Sequence, residues 1–235
     1  MEINFQNIKV IGFDADDTLW VNETYFREAE AMFCELLSAY ETANKIDQEL
    51  FKNEIDNLPL YGYGIKAFVL SMVETALELS NNSISNEAIQ KILDIGKEML
   101  DKPVELLDGV ETVLKTLSQK YRLILATKGD LLDQERKLEK SGLTKYFHHI
   151  EVLSDKKEAN YAKLLNHLDI EPKAFLMIGN SLKSDILPLV NLEAHAIHVP
   201  FHTTWAHEEV KASETNGKQY ITVSSLLDVL PLFKE

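Results

Sequence analysis

Three carboxylates fall within four positions near the start of the chain, in Lys9-Val10-Ile11-Gly12-Phe13-Asp14-Ala15-Asp16-Asp17-Thr18-Leu19-Trp20. An apolar run leads directly into them, the pattern of a buried strand that brings charge to its carboxyl end. Like charges this close repel, and they become tolerable when a cation sits among them or when one carboxyl keeps its proton. Asp14 and Asp16 are two residues apart, so if the extended geometry runs one step further their side chains leave the same side of the chain. Such a pair could act together, with an ionised carboxylate attacking as nucleophile while its neighbour gives and takes protons. A surface turn that caps a helix would use the same residue types.

The elements that must position these groups follow from hydrophobic periodicity. After Trp20 the apolar residues recur at helical spacing, first as Phe26, Ala29, Phe33, Leu36, Leu37 and Tyr40, then as Leu50, Phe51, Ile55 and Leu58. Two further helices carry Ile65, Phe68, Val69, Met72, Val73, Ala76 and Leu77, and, beyond the polar break 80–83, Ala88, Ile89, Ile92, Leu93 and Met99. Pro103 ends this run, and no strand pattern occurs within it. From there strands and helices alternate. Helices are predicted at 110–119, 131–140, 159–168, 182–190 and from Ser225, and strands at 122–127, 149–153, 174–178, 196–199 and 220–223. Alternation of this kind predicts an α/β fold whose parallel sheet carries helices on both faces. The predicted division is a core of residues 1–19 and 104–235 with an all-helical insert at 20–103.

Sheets of that type bind ligands outside the carboxyl ends of their strands, where strand order reverses. Besides the first strand, two others end in suitable groups: Thr127-Lys128-Gly129-Asp130, and Gly179-Asn180-Ser181 with Asp185 shortly beyond. The Thr127 hydroxyl and neighbouring amides could donate to a phosphoryl oxygen, or Thr127 could cap a helix. Asn180-Ser181 would equally start a helix whose dipole stabilises Asp185 in the first turn. Of the seven histidines, His195, His198, His202 and His207 cluster late, at spacings that match no zinc signature and with no cysteine nearby. Residues 201–205 are expected to form a loop near the site or at its rim. Tyr61-Gly62-Tyr63-Gly64 in the insert either presents rings to a substrate or turns between helices.

Asp14-Ala15-Asp16-Asp17-Thr18 resembles Asp-x-Asp-x-Thr, the first motif of the haloacid dehalogenase-like hydrolase superfamily. Leu123-Ile124-Leu125-Ala126-Thr127 is similar to its second motif, an apolar strand ending in Thr or Ser. The third motif is a lysine, and Ser154-Asp155-Lys156-Lys157-Glu158 lies where the family places it. Lys156 is favoured by its distance from Tyr161, with Lys157 close behind and Lys128 a third candidate. Gly179-Asn180-Ser181-Leu182-Lys183-Ser184-Asp185 resembles the fourth, Gly-Asp-Ser-x-x-x-Asp, but has Asn180 where the family has Asp. A neutral amide oxygen still ligates a hard cation, with one charge fewer.

The resemblance spans nearly the whole chain. It implies a Rossmann-like, doubly wound parallel sheet with a helical C1 cap, and hydrolysis of a phosphate monoester. In that chemistry Asp14 attacks phosphorus, and Asp16 protonates the leaving oxygen and later activates water. Mg2+ is held by Asp14, the backbone carbonyl of Asp16, and Asp185 or Asn180. Thr127, Lys156 and Lys128 would bind phosphoryl oxygens, and cap closure would choose a small phosphorylated metabolite. A 2-haloacid dehalogenase or a phosphomutase is the alternative within the superfamily. Asp16 argues against the dehalogenase, because halide needs no proton to leave. A non-catalytic binding protein on this scaffold is favoured by Asn180 alone.

Composition limits the partners. With 24 Lys and Arg against 38 Asp and Glu the net charge is -14, which repels nucleic acid and anionic membranes, so an anionic substrate needs a local cationic site or a metal. The single cysteine, Cys34, cannot form an internal disulfide, and it lies in an apolar helical pattern that suits packing in a reducing compartment. No apolar run approaches the roughly 20 residues of a membrane span, and no leader pattern is present, so a cytoplasmic monomer or homodimer is expected.

Overall fold

The computed structural model describes residues 5–233. It divides into two compact units: Met1–Val21 with Val104–Lys128 and Glu135–Glu235, and Asn22–Pro103 with Gly129–Gln134.

The first unit is built on a sheet of β1 (Val10–Phe13), β2 (Arg122–Lys128), β3 (His149–Leu153), β4 (Phe175–Gly179), β5 (His195–His198) and β6 (Ile221–Thr222). Every neighbouring pair is parallel, and the order is β3-β2-β1-β4-β5-β6. The chain winds outward from β1 to β3, then returns to start the other half at β4. Strand order therefore reverses between β1 and β4, which opens a crevice at their carboxyl ends.

Both faces of the sheet are apolar, as parallel sheets require. Ile11, Phe13, Leu123, Leu125, Leu176 and Ile178 pack on one face with Val110, Val113, Leu114 and Leu117 of α5 (Val110–Leu117). Val10, Ile124, Ala126, Phe175 and Met177 pack on the other with Tyr161, Leu164 and Leu165 of a later helix, Glu158–His167. This is the two-sided parallel sheet expected from the alternation, in the doubly wound, Rossmann-like form that the resemblance implied.

The second unit is helical: α1 (Glu23–Leu36), α2 (Ala43–Tyr61), α3 (Ile65–Leu79) and α4 (Asn86–Asp101). Their apolar stripes meet in a core of Phe33, Leu37, Ile46, Leu50, Phe68, Met72 and Ile92. The Ser85 hydroxyl accepts from the Ala88 N–H at 3.1 Å and starts α4. Two buried polar rungs tie α2 to α3, Asn53 Nδ2 to Thr75 Oγ1 at 3.0 Å and Asn57 Nδ2 to Ser71 Oγ at 3.1 Å. Asp130, expected at a strand end of the core, groups with this unit, where Lys66 Nζ lies 2.9 Å from its Oδ1.

Beyond β2 the helices are α6 (Leu131–Ser141), α7 (Glu158–His167), α8 (Leu187–Asn191) and α9 (Ala212–Thr215). The stretch 182–190 is helical as expected, a wider π turn over Leu182–Ile186 that runs into the short α8. Two elements differ from the sequence expectation. The last strand shrinks to two residues, Ile221–Thr222. The final segment Leu226–Phe233 winds as tighter 3₁₀ turns and not an α-helix; Pro231 within it has no N–H to continue an α ladder. No described helix is long and apolar enough to cross a membrane.

Gly12, in the central strand, marks a close approach. A Cβ there would stand 2.6 Å from Phe175 Cζ and 3.0 Å from Met177 Sδ. Gly12→Ala is expected to destabilise the protein by about 1–3 kcal/mol through overpacking. Urea unfolding checks this, and Phe175→Leu in the same background should restore part of the loss.

Candidate active site

The site begins where β1 stops. Its ladder runs one residue past Phe13, with the Asp14 N–H donating to the Ile178 carbonyl of β4 at 2.9 Å. Asp14 is thereby fixed at the crevice, its side chain buried. Lys156, between β3 and α7, sends its ammonium to 2.5 Å from Asp14 Oδ1 and 2.7 Å from Asp185 Oδ1, with only 1% of its side chain exposed. Asp185 is held by the turn after β4. The Ser181 N–H donates to Asp185 Oδ2 at 3.0 Å, and Ser181 Oγ accepts from the Ser184 N–H at 3.0 Å. Gly179 must be glycine here, because a Cβ would collide with the Asp185 carboxylate. Thr18 links the two motif loops: its hydroxyl lies 2.9 Å from Asp14 Oδ2 and 3.3 Å from Asn180 Oδ1, and accepts from the Asn180 N–H at 3.0 Å.

Two carboxylates on one buried ammonium leave negative charge unbalanced. Burial, and then the Asp185 charge, push the Asp14 carboxyl up to about 7 against the pull of Lys156. Burial works to strip the Lys156 proton, but Asp14 and Asp185 overcome it and hold its pKa well above that of an ordinary lysine. The Tyr161 hydroxyl, fully buried beside Lys156, has no hydrogen-bond partner among the described residues, and burial raises its pKa well above the usual phenol.

The other predicted residues are placed as follows. Asp16 does not share the position of Asp14. The chain turns after Asp14, with the Leu19 N–H on the Ala15 carbonyl at 2.8 Å and Asp17 left-handed at φ 60°, so the extended geometry stops. Asp16 Oδ1 instead accepts from Trp20 Nε1 at 2.7 Å and Lys137 Nζ at 2.8 Å. Its charge still reaches Asp14, more weakly than those of Asp185 and Lys156. Thr127 is buried at the end of β2, its Oγ1 3.2 Å from the Lys128 carbonyl.

Lys128, expected at the phosphate, meets other partners: its Nζ donates to Glu208 Oε1 at 2.7 Å and Ser184 Oγ at 2.9 Å. Lys157 points outward to Asp155 at 2.7 Å, which leaves Lys156 as the lysine at the carboxylates. Of the late histidines, His198 Nε2 stands 3.0 Å from the Asn180 carbonyl, so that ring nitrogen donates, and burial lowers the His198 pKa. His202 Nδ1 lies 2.7 Å from Thr203 Oγ1, and the His207 ring stacks near Trp205.

Sequence reasoning assigned no role to Thr18, Lys137, Trp20 or Glu208. Thr18 stood inside the first motif and could have been found there. Lys137 and Glu208 carry no local signal.

The haloacid dehalogenase-like hydrolase family matches this chain over residues 8–192. The chain belongs to that family. A haloacid dehalogenase-like hydrolase from Xanthomonas campestris is 42% identical, with a TM-score of 0.80, over 85% of this chain and 84% of that one. The hydrolase YfnB of Bacillus subtilis shares the fold at 16% identity and a TM-score of 0.65, over 96% of this chain and 98% of its own. Among curated relatives, human N-acylneuraminate-9-phosphatase is 22% identical over 99% of this chain and 96% of its own length. The mouse protein of that name is 27% identical over 55% of this chain, a match that spans about half of the mouse protein, 52%.

The donors at the crevice suit a hard divalent cation. Among the described residues no three His, Cys, Asp or Glu side chains converge to hold a metal. The set is instead two carboxylates, Asp14 and Asp185, with the Asn180 amide oxygen near, which is how Mg2+ is commonly held, by one or two carboxylates and water.

The charge balance makes two tests. A raised Asp14 pKa contributes stability that is present at low pH and lost as pH rises through about 7. In chelator, Asp14→Asn should therefore raise the melting temperature more at pH 8 than at pH 5. Lys156→Met should cost about 3–5 kcal/mol at pH 8, by leaving buried carboxylates uncompensated, and less at pH 5; denaturant unfolding at both pH values measures it.

Proposed function

We propose that the chain is a magnesium-dependent phosphatase that hydrolyses a small phosphate monoester through a phospho-aspartyl intermediate on Asp14. The observation that carries this reading is the pairing of Asp14 and Asp185 on one buried lysine at the point where strand order reverses.

Asp14 attacks phosphorus, forming a carboxylate O–P bond as the ester P–O bond breaks. Asp16 exchanges its Trp20 and Lys137 contacts for the leaving oxygen and gives it a proton. It then takes a proton from water, whose oxygen attacks phosphorus and releases Asp14 and inorganic phosphate. Lys156 and Thr127 hold phosphoryl oxygens during both displacements. Mg2+, held by Asp14, the Asp16 backbone carbonyl, Asp185 and Asn180, would offset the charge that develops on the phosphoryl group. The helical unit serves as the cap that selects the substrate. The curated relatives make a phosphorylated sugar acid the first compound to try.

The test is phosphate release from an aryl phosphate and from a phosphorylated sugar acid, with Mg2+ and with chelator. Wild type should turn over only with Mg2+, Asp14→Asn should fall to background, and Asp16→Asn should lose about 10²–10⁴-fold in kcat. Undiminished turnover by Asp14→Asn, or a wild type that neither turns over nor binds Mg2+, would overturn the reading.

A further inference from the structure

Glu208 is a carboxylate with 13% of its side chain exposed, brought to the site by a segment with no recognisable motif. It closes the short turn Ala206–Glu208, between β5 and α9. Its Oε1 accepts from Lys128 Nζ at 2.7 Å, and its Oε2 accepts from both Ser181 Oγ and Ser184 Oγ at 2.5 Å. Ser184 Oγ also accepts from Lys128 at 2.9 Å, so lysine, serine and glutamate close a ring. Burial would raise the Glu208 carboxyl, yet Lys128 and the two hydroxyls hold it down at about 2.

The ring touches the turn that carries Asp185. Ser181 and Ser184 are the residues whose backbone and side chain set that turn, and Ser184 directly precedes Asp185. Without Glu208, Lys128 would place an unneutralised ammonium on Ser184, the residue before the carboxylate expected to hold a divalent cation, where a like charge is repelled. Asn180 makes the matter sharper, since it brings no charge of its own. Resting on the magnesium-dependent reading above, we propose that Glu208 is a positioning residue: it neutralises Lys128 and anchors the 180–185 turn, so that Mg2+ binds beside Asp185 although Asn180 is uncharged.

The experiment is Mg2+ titration of the full chain without substrate, followed by calorimetry and by thermal shift. It compares wild type, Glu208→Gln, Lys128→Met and the double variant Glu208→Gln/Lys128→Met. Glu208→Gln should weaken Mg2+ binding by about 10–100-fold, the usual effect of losing an outer partner of a metal site. The double variant should regain most of that loss, and Lys128→Met alone should bind at least as tightly as wild type. Rescue by removing the opposing charge is a response that a purely packing role would not give. The double variant buries no unpaired charge, so it decides the matter even if Glu208→Gln does not fold. Equal affinity in Glu208→Gln and wild type, or a double variant that binds more weakly than wild type by the full loss, overturns the proposal alone. A wild type that does not bind Mg2+ overturns the magnesium-dependent reading with it.

Discussion

A buried ammonium shared by two buried carboxylates is the constraint around which the rest of the core is arranged. Lys156 lies against Asp14 and Asp185 and reaches both from a distant segment of chain. Burial, and then the Asp185 charge, hold the Asp14 carboxyl at about 7 against the pull of Lys156. The folded state holds this imbalance in place because its surroundings are rigid: Asp14 is locked to β4 through the Ile178 carbonyl, and Asp185 is clamped by Ser181. A buried charge imbalance is a local cost that the packed sheet must offset elsewhere.

The sheet supplies that rigidity through close approach. β1 lies between β2 and β4 and is buried on both faces, so each of its residues is fixed by neighbours on two sides. Gly12 lets the Phe175 ring and Met177 sulfur fill the space beside the strand, and Gly179 lets the Asp185 carboxylate lie directly on β4. Both glycines are there for the missing Cβ, and both lie within three residues of a group the reaction would use.

Around this centre a second set of contacts spreads charge outward. Lys137 and Trp20 take Asp16, while Lys128 and two serine hydroxyls take Glu208. The Lys137 and Lys128 pairs each link segments far apart in the chain, and the ring around Glu208 is a polar network in which the loss of one member is felt by the others. The helical unit keeps its own core and its own polar rungs between α2 and α3.

The sequence by itself determined the α/β alternation, the helical run after the first strand and the identity of the strand-end residues. Those signals are local: periodicity reports which face of an element is buried, and a strand that ends in Asp or Thr places that residue at the sheet's rim. Asp14, Thr127 and Asp185 were legible for this reason, and the family motifs supplied Lys156. Tertiary structure alone decided that Lys156 and not Lys157 turns inward, that Asp16 leaves the strand geometry for Trp20 and Lys137, and that Lys128 pairs with Glu208. Each of these choices depends on which distant segment occupies the space opposite a side chain. A chain pattern with a reach of a few residues carries no record of that, whereas the energy of a buried charge depends on it almost entirely.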